Sequence, residues 1–229
     1  MVIKLDGQIS QVPVDLSCEI ILLSEDFEFG IPVDWMTINP DAAKLGDFNE
    51  GWILDRDTTY TIGTGPDMAQ SGDFYVYCDG SGPILRESQV PLRSPEISLK
   101  GITRPSLTFY LNMHGTSGLF FVNVVTETTI DKVLPDVNGN VANGIHASTE
   151  WEKIYVDLTP YTNQSVRLEF VTIKPEGSVS PPGDIAIDNI IVCGNSISIP
   201  TLSQWGVICL ALIMFIFGSA ALRKSTVAY

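Results

Sequence analysis

Between residues 74 and 192, apolar and polar residues alternate in short runs, and helical periodicity is almost absent before residue 198. Alternation places every second side chain on the same face of a strand, so such runs predict half-buried β-strands. Alternating runs cover residues 107–113, 120–124, 154–158 and 166–170. Residues 74–78 and 185–192 are denser in apolar residues, which predicts strands that are covered on both faces.

Turn-forming residues separate these runs. Stretches rich in Gly, Pro, Asn and Asp occur at residues 63–66, 79–83, 138–140 and 181–184. Such clusters between apolar runs indicate tight turns. Short strands at this spacing predict an all-β fold, a two-sheet antiparallel β-sandwich of the jelly-roll kind. A domain of roughly 170 residues builds a full hydrophobic core and does not depend on disulfides for folding.

The end of the chain has a different pattern. Residues 205–222 form an 18-residue run without a charged side chain. A helix of that length spans roughly 27 Å at about 1.5 Å per residue, which predicts one C-terminal transmembrane helix. Arg223 and Lys224 follow at once. The positive-inside rule then predicts a cytoplasmic C-terminus, with residues 1–204 outside. The alternative is a buried core helix, although such helices seldom run this long without a polar face.

The residues around the start of this run carry a motif. They read IPTLSQWG, and its marked positions are Ile199, Pro200, Thr201, Leu202, Trp205 and Gly206. With the apolar run and the basic pair behind it, about residues 199–224 resemble the IPTL-CTERM protein-sorting signal of exported bacterial proteins, and Ser225 to Tyr229 extend past the basic pair. The resemblance implies retention in the membrane until a sorting enzyme of the exosortase type processes the tail. It also implies a location in the cell envelope or outside the cell.

The first 24 residues do not have the pattern of an export signal. They contain Lys4, but no apolar run of seven residues and no small-residue cleavage site. Residues 20–23 fit a strand better than a signal-peptide core. Because a sorted protein must first be exported, we expect either a start placed too late or a fragment of a longer protein. We therefore divide the chain into an N-terminal segment 1–19, a sandwich domain 20–198 and the sorting signal 199–229.

Net charge limits the partners. The 229 residues include 27 acidic and 13 basic side chains, for a net charge of −14. All the acids precede Gln204, so residues 1–204 carry 11 bases and a net charge of −16. Contacts to phosphates need clustered Lys and Arg, so this composition argues against nucleic acid as a partner. An acidic surface is typical of exported proteins and of calcium-binding proteins.

Six phrases of the sandwich region occur in an order that resembles the MAM domain, a jelly-roll module of extracellular adhesion proteins and some secreted proteases. They are residues 26–32 with Trp35 and Trp52, 64–66 leading to 71–77, 92–95, 107–115, Trp151 before 156–158, and 183–190. The resemblance covers about residues 20–193 and implies a concanavalin-like sandwich with an adhesion or recognition role. The same start and final strand also resemble calcium-containing carbohydrate-binding jelly rolls. The cysteine pattern of animal MAM domains is absent.

Two acids interrupt apolar surroundings and predict a metal site. Asp188 lies within the strand IAIDNIIV, and Glu28 lies between two phenylalanines. A carboxylate in such a place needs a cation or several hydrogen-bond donors. The first and last strands of a jelly roll can be neighbours, so we expect the two acids to converge on a structural Ca²⁺. Asp73 is the third predicted ligand, with Asp67 as its rival. The alternative is an Arg or Lys partner, or backbone N–H donors.

The remaining reactive residues favour a module without catalysis. His114 and His146 are the only histidines, and no nucleophile elbow, HExxH motif or phosphate-binding loop occurs. Outward-facing aromatic rings could stack on a sugar, and Tyr110 is a better candidate than Tyr60, Tyr75 or Tyr77. Core or ordinary surface packing is the favoured interpretation of these aromatics.

Four cysteines allow one internal bridge outside the tail. Cys209 lies in the apolar run and is expected to be a free thiol. Of the three pairs open to Cys18, Cys78 and Cys193, we favour Cys18–Cys193, which would join the two ends of the domain.

The sequence therefore predicts an exported, surface-directed adhesion or recognition module that is anchored and sorted through its C-terminus. Its partner would be an extracellular protein or glycan. The alternatives are a carbohydrate-binding module, and an accessory-domain fragment of a larger secreted hydrolase.

Overall fold

The computed structural model describes residues 3–5, 8–10, 18–37, 51–60, 62–80, 89–113, 119–138, 150–173, 183–196 and 206–215. The chain divides into two units, Met1–Ser196 and Ile197–Tyr229. In its described part, the first unit contains β-strands and one short 3-10 helix at Thr159–Tyr161. This architecture confirms the predicted all-β fold.

Fourteen strands are described. They are β1 (Ile3–Leu5), β2 (Gln8–Ser10), β3 (Ile20–Glu25), β4 (Met36–Thr37), β5 (Trp52–Asp55), β6 (Tyr75–Cys78), β7 (Gln89–Arg93), β8 (Ile97–Ser98), β9 (Ile102–Met113), β10 (Leu119–Val125), β11 (Ile130–Asn138), β12 (Glu152–Asp157), β13 (Ser165–Ile173) and β14 (Ile185–Ser196). Every described pairing is antiparallel.

Two six-stranded sheets form the domain, and β1 and β2 pair separately. Sheet I has the order β11-β10-β13-β7-β4, with β8 also paired to β13. Sheet II has the order β12-β9-β14-β6-β5, with β3 also paired to β14. The predicted two-sheet antiparallel sandwich is therefore confirmed.

The main core lies between the sheets and follows the alternation in the sequence. Sheet II contributes Leu107, Phe109 and Leu111 from β9, and sheet I contributes Phe120 from β10 and Phe170 from β13. The rings of Phe109 and Phe170 meet edge to face, with centroids 5.2 Å apart. Each fully buried side chain of this size contributes about 1.5–3 kcal/mol to folding. Trp35 and Trp52 also belong to this core.

A smaller apolar cluster covers the outer face of sheet II. Its buried members are Ile53, Tyr75, Tyr77 and Ala186, and Ala69 and Trp151 pack against them. The Tyr75 hydroxyl donates to the Asp57 carbonyl at 2.7 Å, and the Trp151 indole N–H donates to the Met68 carbonyl at 3.1 Å. These bonds bind the connection between β5 and β6 to the sheet. Because this cluster covers the outer face of β6 and the main core covers the inner face, β6 is buried on both faces, as the dense apolar run 74–78 predicts.

The central strand of sheet II changes its neighbour halfway along. Residues 185–187 of β14 pair with β6, whereas residues 190–194 pair with β3. Both neighbours run antiparallel to β14, so the end of β3 faces the start of β6. The change occurs at Asp188 and Asn189, where the pairing with β9 also shifts register. This break positions the candidate site.

In the second unit, residues 206–215 form a helix whose side chains are exposed. No helix within the described ranges is both long and apolar enough to cross a bilayer. The predicted 205–222 span extends beyond the described residues at both ends.

Candidate functional site

The site lies where β3 ends and β6 begins, and Glu28 occupies one side of it. Glu28 follows β3 in a turn, and its carboxylate reaches the main chain just before β6. Glu28 Oε1 accepts hydrogen bonds from the N–H groups of Asp73 and Phe74, at 2.9 and 2.8 Å. The Glu28 carboxylate therefore accepts from two main-chain N–H groups that precede β6, in the way that a neighbouring strand would.

Asp188 occupies the other side and binds the same stretch of chain. Its side chain is fully buried. Asp188 Oδ2 accepts from the N–H groups of Gln70 and Ser71 at 3.0 and 3.3 Å, and Oδ1 accepts from Asn189 at 2.7 Å. Burial raises the pKa of Asp188 to about 7, and the negative charge of Glu28 acts in the same direction. The segment 70–74 is thus bound at one end by Asp188 and at the other by Glu28.

A bulge in β14 turns Asp188 out of the main core. Ile187 and Ile190 both belong to that core, although strict alternation would place them on opposite faces. Asn189 supplies the extra residue, with a φ of 51°, and its amide donates to Gln70 Oε1 at 2.5 Å. Asn tolerates this left-handed conformation better than most residues do. The bulge leaves Asp188 on the outer face, beside segment 70–74.

Gly72 lets segment 70–74 pass close to Glu28. Its φ is +68°, and a Cβ atom added there would overlap the Glu28 carboxylate. Glycine meets both demands, because it adopts positive φ readily and has no side chain.

The predicted metal ligands are only partly brought together. Glu28 and Asp188 are close enough to interact electrostatically. The side chains of Asp73 and Asp67 are exposed. Within the described ranges, no group of three or more His, Cys, Asp or Glu residues is placed to hold a metal ion. Main-chain N–H groups are the partners observed for Glu28 and Asp188, which is the alternative that the sequence left open.

The two converging acids nevertheless provide chemistry that suits calcium. Calcium takes carboxylate and carbonyl oxygens as ligands. Two like charges that lie close together repel each other, and a cation between them would remove that repulsion. A calcium ion bound there would take two carboxylate ligands, from Glu28 and Asp188, and non-acidic oxygens as its other ligands.

Asp184 is a buried acid that the sequence interpretation missed. Its Oδ2 accepts from the Thr64 hydroxyl at 2.8 Å, and Oδ1 accepts from the Gly80 N–H at 2.9 Å. Burial, more than any other cause, raises the pKa of Asp184 to about 6. The residue follows Pro181-Pro182-Gly183, a composition that predicts a turn. The signal that could have found it is its position directly before the apolar run 185–187.

A row of polar side chains crosses the outer face of sheet I. Arg93 forms an ion pair with Glu169, which lies directly opposite it on β13. The Asn123 amide donates to Glu169 Oε2 at 3.2 Å from the other side. Beside this row, the Lys132 ammonium lies 4.0 Å from the centre of the Phe121 ring. The buried Glu169 is therefore neutralised and hydrogen-bonded, as a buried charge must be.

The aromatic residues considered for sugar binding differ in exposure. Tyr75 and Tyr77 are buried, and Tyr60 is exposed. Tyr110 is half-buried, and the Lys153 ammonium lies over its ring at 5.7 Å. His114 and His146 lie outside the described residues.

The cysteines have distinct states. Cys18 and Cys193 form a disulfide that connects the residues before β3 to β14. Cys78 is a buried thiol, and the Thr172 hydroxyl donates to its Sγ at 3.2 Å. Cys209 is a free and exposed thiol on the 206–215 helix.

Of the sorting positions, only Gly206 is described, and it lies among the helical residues 206–215. Ile199, Pro200, Thr201, Leu202, Trp205, Arg223 and Lys224 lie outside the described residues.

The sandwich is similar to several solved structures. The K1 cleaved adhesin domain of Lys-gingipain from Porphyromonas gingivalis is 22% identical, with a TM-score of 0.49, covering 76% of this chain and 98% of that chain. The carbohydrate-binding module TmCBM61, in complex with β-1,4-galactotriose, is 12% identical with a TM-score of 0.43, covering 74% and 94%. The CBM22-1-CBM22-2 tandem domain of Paenibacillus barcinonensis Xyn10C is 14% identical with a TM-score of 0.46, covering 81% and 48%.

Among curated proteins, none matches the chain significantly. One family of sequences does match, over residues 197–224, and it is described as the IPTL-CTERM motif. The sorting motif at the C-terminal end of the chain is thereby confirmed.

Proposed function

We propose that this chain is an exported bacterial recognition module that is directed to the cell surface and performs no catalysis of its own. One observation carries the proposal: a compact β-sandwich within residues 1–196 is followed directly by an IPTL-CTERM motif at 197–224. The sandwich supplies the binding surface, and the motif directs the chain to the cell surface.

The disulfide supports a location outside the cytoplasm. Disulfides persist in oxidising compartments and are rare in the reducing cytosol. Cys18–Cys193 connects residues 175 positions apart and lies within the sandwich. The strongly acidic residues 1–204 are also typical of an exported surface.

The proposed route of sorting uses the tail in two ways. Residues 205–222 hold the chain in the membrane, because burying an apolar run of this length is favourable whatever the motif next to it. Arg223 and Lys224 resist translocation and keep the end cytoplasmic. An exosortase-type enzyme recognises the motif at the outer boundary of the membrane and processes the tail.

The proposed role of the sandwich is adhesion through a MAM-like module, with an extracellular protein as its ligand. The ordered phrases from 26–32 to 183–190 support the MAM-like part of the proposal. A glycan ligand, as in a carbohydrate-binding module, is the outcome that a glycan array on residues 1–196 would reveal. A catalytic domain encoded upstream would instead make the chain an accessory domain of a secreted hydrolase.

A structural calcium ion is part of the proposal. Glu28 and Asp188 would hold it, with non-acidic oxygens as the other ligands. When bound, the ion would neutralise two neighbouring carboxylates. Within this chain, the ion would fix segment 70–74 between the end of β3 and the start of β6.

Deletion of the tail tests the surface-directed part of the proposal. With an export signal supplied, a chain lacking residues 205–229 should appear in the medium as a folded domain. A control truncated after Lys224 should stay with the membrane fraction before processing. Equal distribution of the two proteins between medium and membrane would contradict the proposal.

A further inference from the structure

The turn between β3 and β4 exposes two apolar side chains completely. Phe29 and Val33 have relative exposures of 103% and 104%, so no part of the chain that the structure describes covers them. A single exposed apolar residue is ordinary on a protein surface. Two such residues within the ten-residue connection between β3 and β4 are a candidate for a contact surface.

The backbone that carries these side chains is firmly anchored. Phe27 and Trp35 flank the turn, both are buried, and their ring centroids lie 5.9 Å apart. Trp35 also stacks on Phe170 at 6.3 Å. Within the turn, the Gly30 N–H donates to the Phe27 carbonyl and the Trp35 N–H to the Pro32 carbonyl, each at 3.0 Å. A fixed backbone lowers the ordering cost of binding through the exposed residues.

The charged side chains within the connection between β3 and β4 are all acidic. Asp26 and Asp34 are exposed on either side of Phe29 and Val33. Between Lys4 and Lys44 the sequence contains eight acids and no Lys or Arg. A partner that covers Phe29 and Val33 therefore meets carboxylates at the rim of the contact. Opposite charge on the partner would favour both association and its specificity.

We propose that Phe29 and Val33 dock into an apolar pocket, rimmed by Lys and Arg, on a partner protein. The inference rests on the proposed function, because it names the class of partner for the recognition module. A second copy of this chain fits poorly, because Asp26 and Asp34 of both copies would approach each other. The negative lipids of a membrane surface would be repelled for the same reason.

A peptide selection tests this surface directly. Residues 1–196 form a compact unit that contains the whole described core, so this segment serves as the bait. The probe is a displayed library of random peptides, with counter-selection against the Phe29→Ser/Val33→Ser protein. We expect enriched peptides to combine an apolar pair with at least two Lys or Arg residues. Their binding should weaken as the salt concentration rises.

Matched variants identify the contact. Phe29→Ser should weaken binding of the selected peptides at least tenfold, as expected for a central apolar anchor. Ile130→Ser removes another exposed apolar side chain, on β11, and should leave binding unchanged. Asp34→Lys should also weaken binding, whereas Glu127→Lys in the exposed 126–129 turn should not. Because all four side chains are exposed, unchanged melting temperatures should show that every variant folds.

The outcomes separate this inference from the proposed function. No enrichment over the counter-selected protein, or equal binding of peptides to the Phe29→Ser variant, overturns the docking surface. So does a dimer in sedimentation that Phe29→Ser dissociates, or binding to vesicles of zwitterionic and anionic lipid. None of these results changes where the full chain is located in the cell. Failure of the tail deletion to alter that location would instead overturn the proposed function.

Discussion

Glu28 and Asp188 bind opposite ends of one five-residue segment, although they lie 160 positions apart in the sequence. Glu28 accepts from the N–H groups of Asp73 and Phe74, and Asp188 accepts from those of Gln70 and Ser71. The two acids thereby close the gap on β14 between the end of β3 and the start of β6. The stability of this junction should depend on the acids and on the glycine between their binding points.

Gly72→Ala should destabilise the domain more than Gly101→Ala. The two glycines have φ values of +68° and +73°, so both variants carry a similar backbone strain of about 1–2 kcal/mol. Only at Gly72 would the new methyl group also overlap Glu28, whereas nothing lies within 4 Å at Gly101. Urea unfolding should show an additional loss of roughly 1–2 kcal/mol for Gly72→Ala.

A double-mutant cycle checks the cause of that loss. In a Glu28→Ala background the overlap is gone, so Gly72→Ala should cost no more than Gly101→Ala does. An unchanged extra cost in the Glu28→Ala background would show that Glu28 is not responsible.

Calcium should stabilise the sandwich, and chelation should reverse the effect. A ligand that binds only the folded state stabilises it by about 2.7 kcal/mol at a concentration one hundred times its Kd. For a domain of this size, that corresponds to a rise in melting temperature of roughly 5–10 °C. Glu28→Gln and Asp188→Asn should each remove most of this rise, while Glu127→Gln should keep it. Identical melting with calcium and with chelator, at matched ionic strength, would contradict the proposed ion.

In chelator, stability should fall as the pH rises from about 4 to 6. The pKa of Asp184 is raised by burial from its ordinary value of 3.8 to about 6. Between these values the folded state holds a proton that the unfolded state releases. The favourable contribution is therefore complete below pH 3.8 and is lost as the pH passes 6. A shift of this size corresponds to about 2–3 kcal/mol.

Asp184→Asn should flatten this pH dependence. The amide oxygen can still accept from Gly80, and the Thr64 hydroxyl can turn to accept from the new NH₂ group. Urea titrations at several pH values measure the slope. The slope that remains should belong to Asp188, whose pKa is raised in the same direction, to about 7. A slope identical to that of the parent would exclude Asp184 as its source.

Reduction of Cys18–Cys193 should destabilise the domain by roughly 2–5 kcal/mol. In the chain-entropy description, a bridge that closes a long loop removes much freedom from the unfolded chain. Cys18→Ser should lower the urea midpoint to that of the reduced parent, with no further loss on adding reductant. Cys78→Ser would test a different thiol, because it should change the core packing while leaving the response to reductant intact.

Much of the fold follows from local pattern. The alternating run 107–113 lies within β9, and the dense run 185–192 lies within β14. The sequence did not predict β7, because Pro91 interrupts it and proline removes a ladder donor. Pro91 lies opposite Val171 of β13, whereas the described part of β4 pairs with Leu92 and Arg93.

The candidate site was predictable only in part. Convergence of Glu28 and Asp188 followed from the expectation that the first and last strands of the sandwich are neighbours, and β3 does pair with β14. The donors from segment 70–74 were not predictable, because main-chain N–H groups leave no residue-specific signal. Nor did the alternation reveal the bulge at Asn189, which depends on a register shift between distant strands.

The central claim is that the chain is sorted through its IPTL-CTERM motif, and one intact-mass measurement tests it most directly. The parent and a Pro200→Ala/Thr201→Ala/Trp205→Ala variant are expressed in the native bacterium with an export signal supplied. The account predicts that the parent yields a processed product of lower mass, whereas the variant stays at full mass in the membrane fraction. If the variant is processed and released like the parent, the account is contradicted. The tail would then be only a membrane anchor.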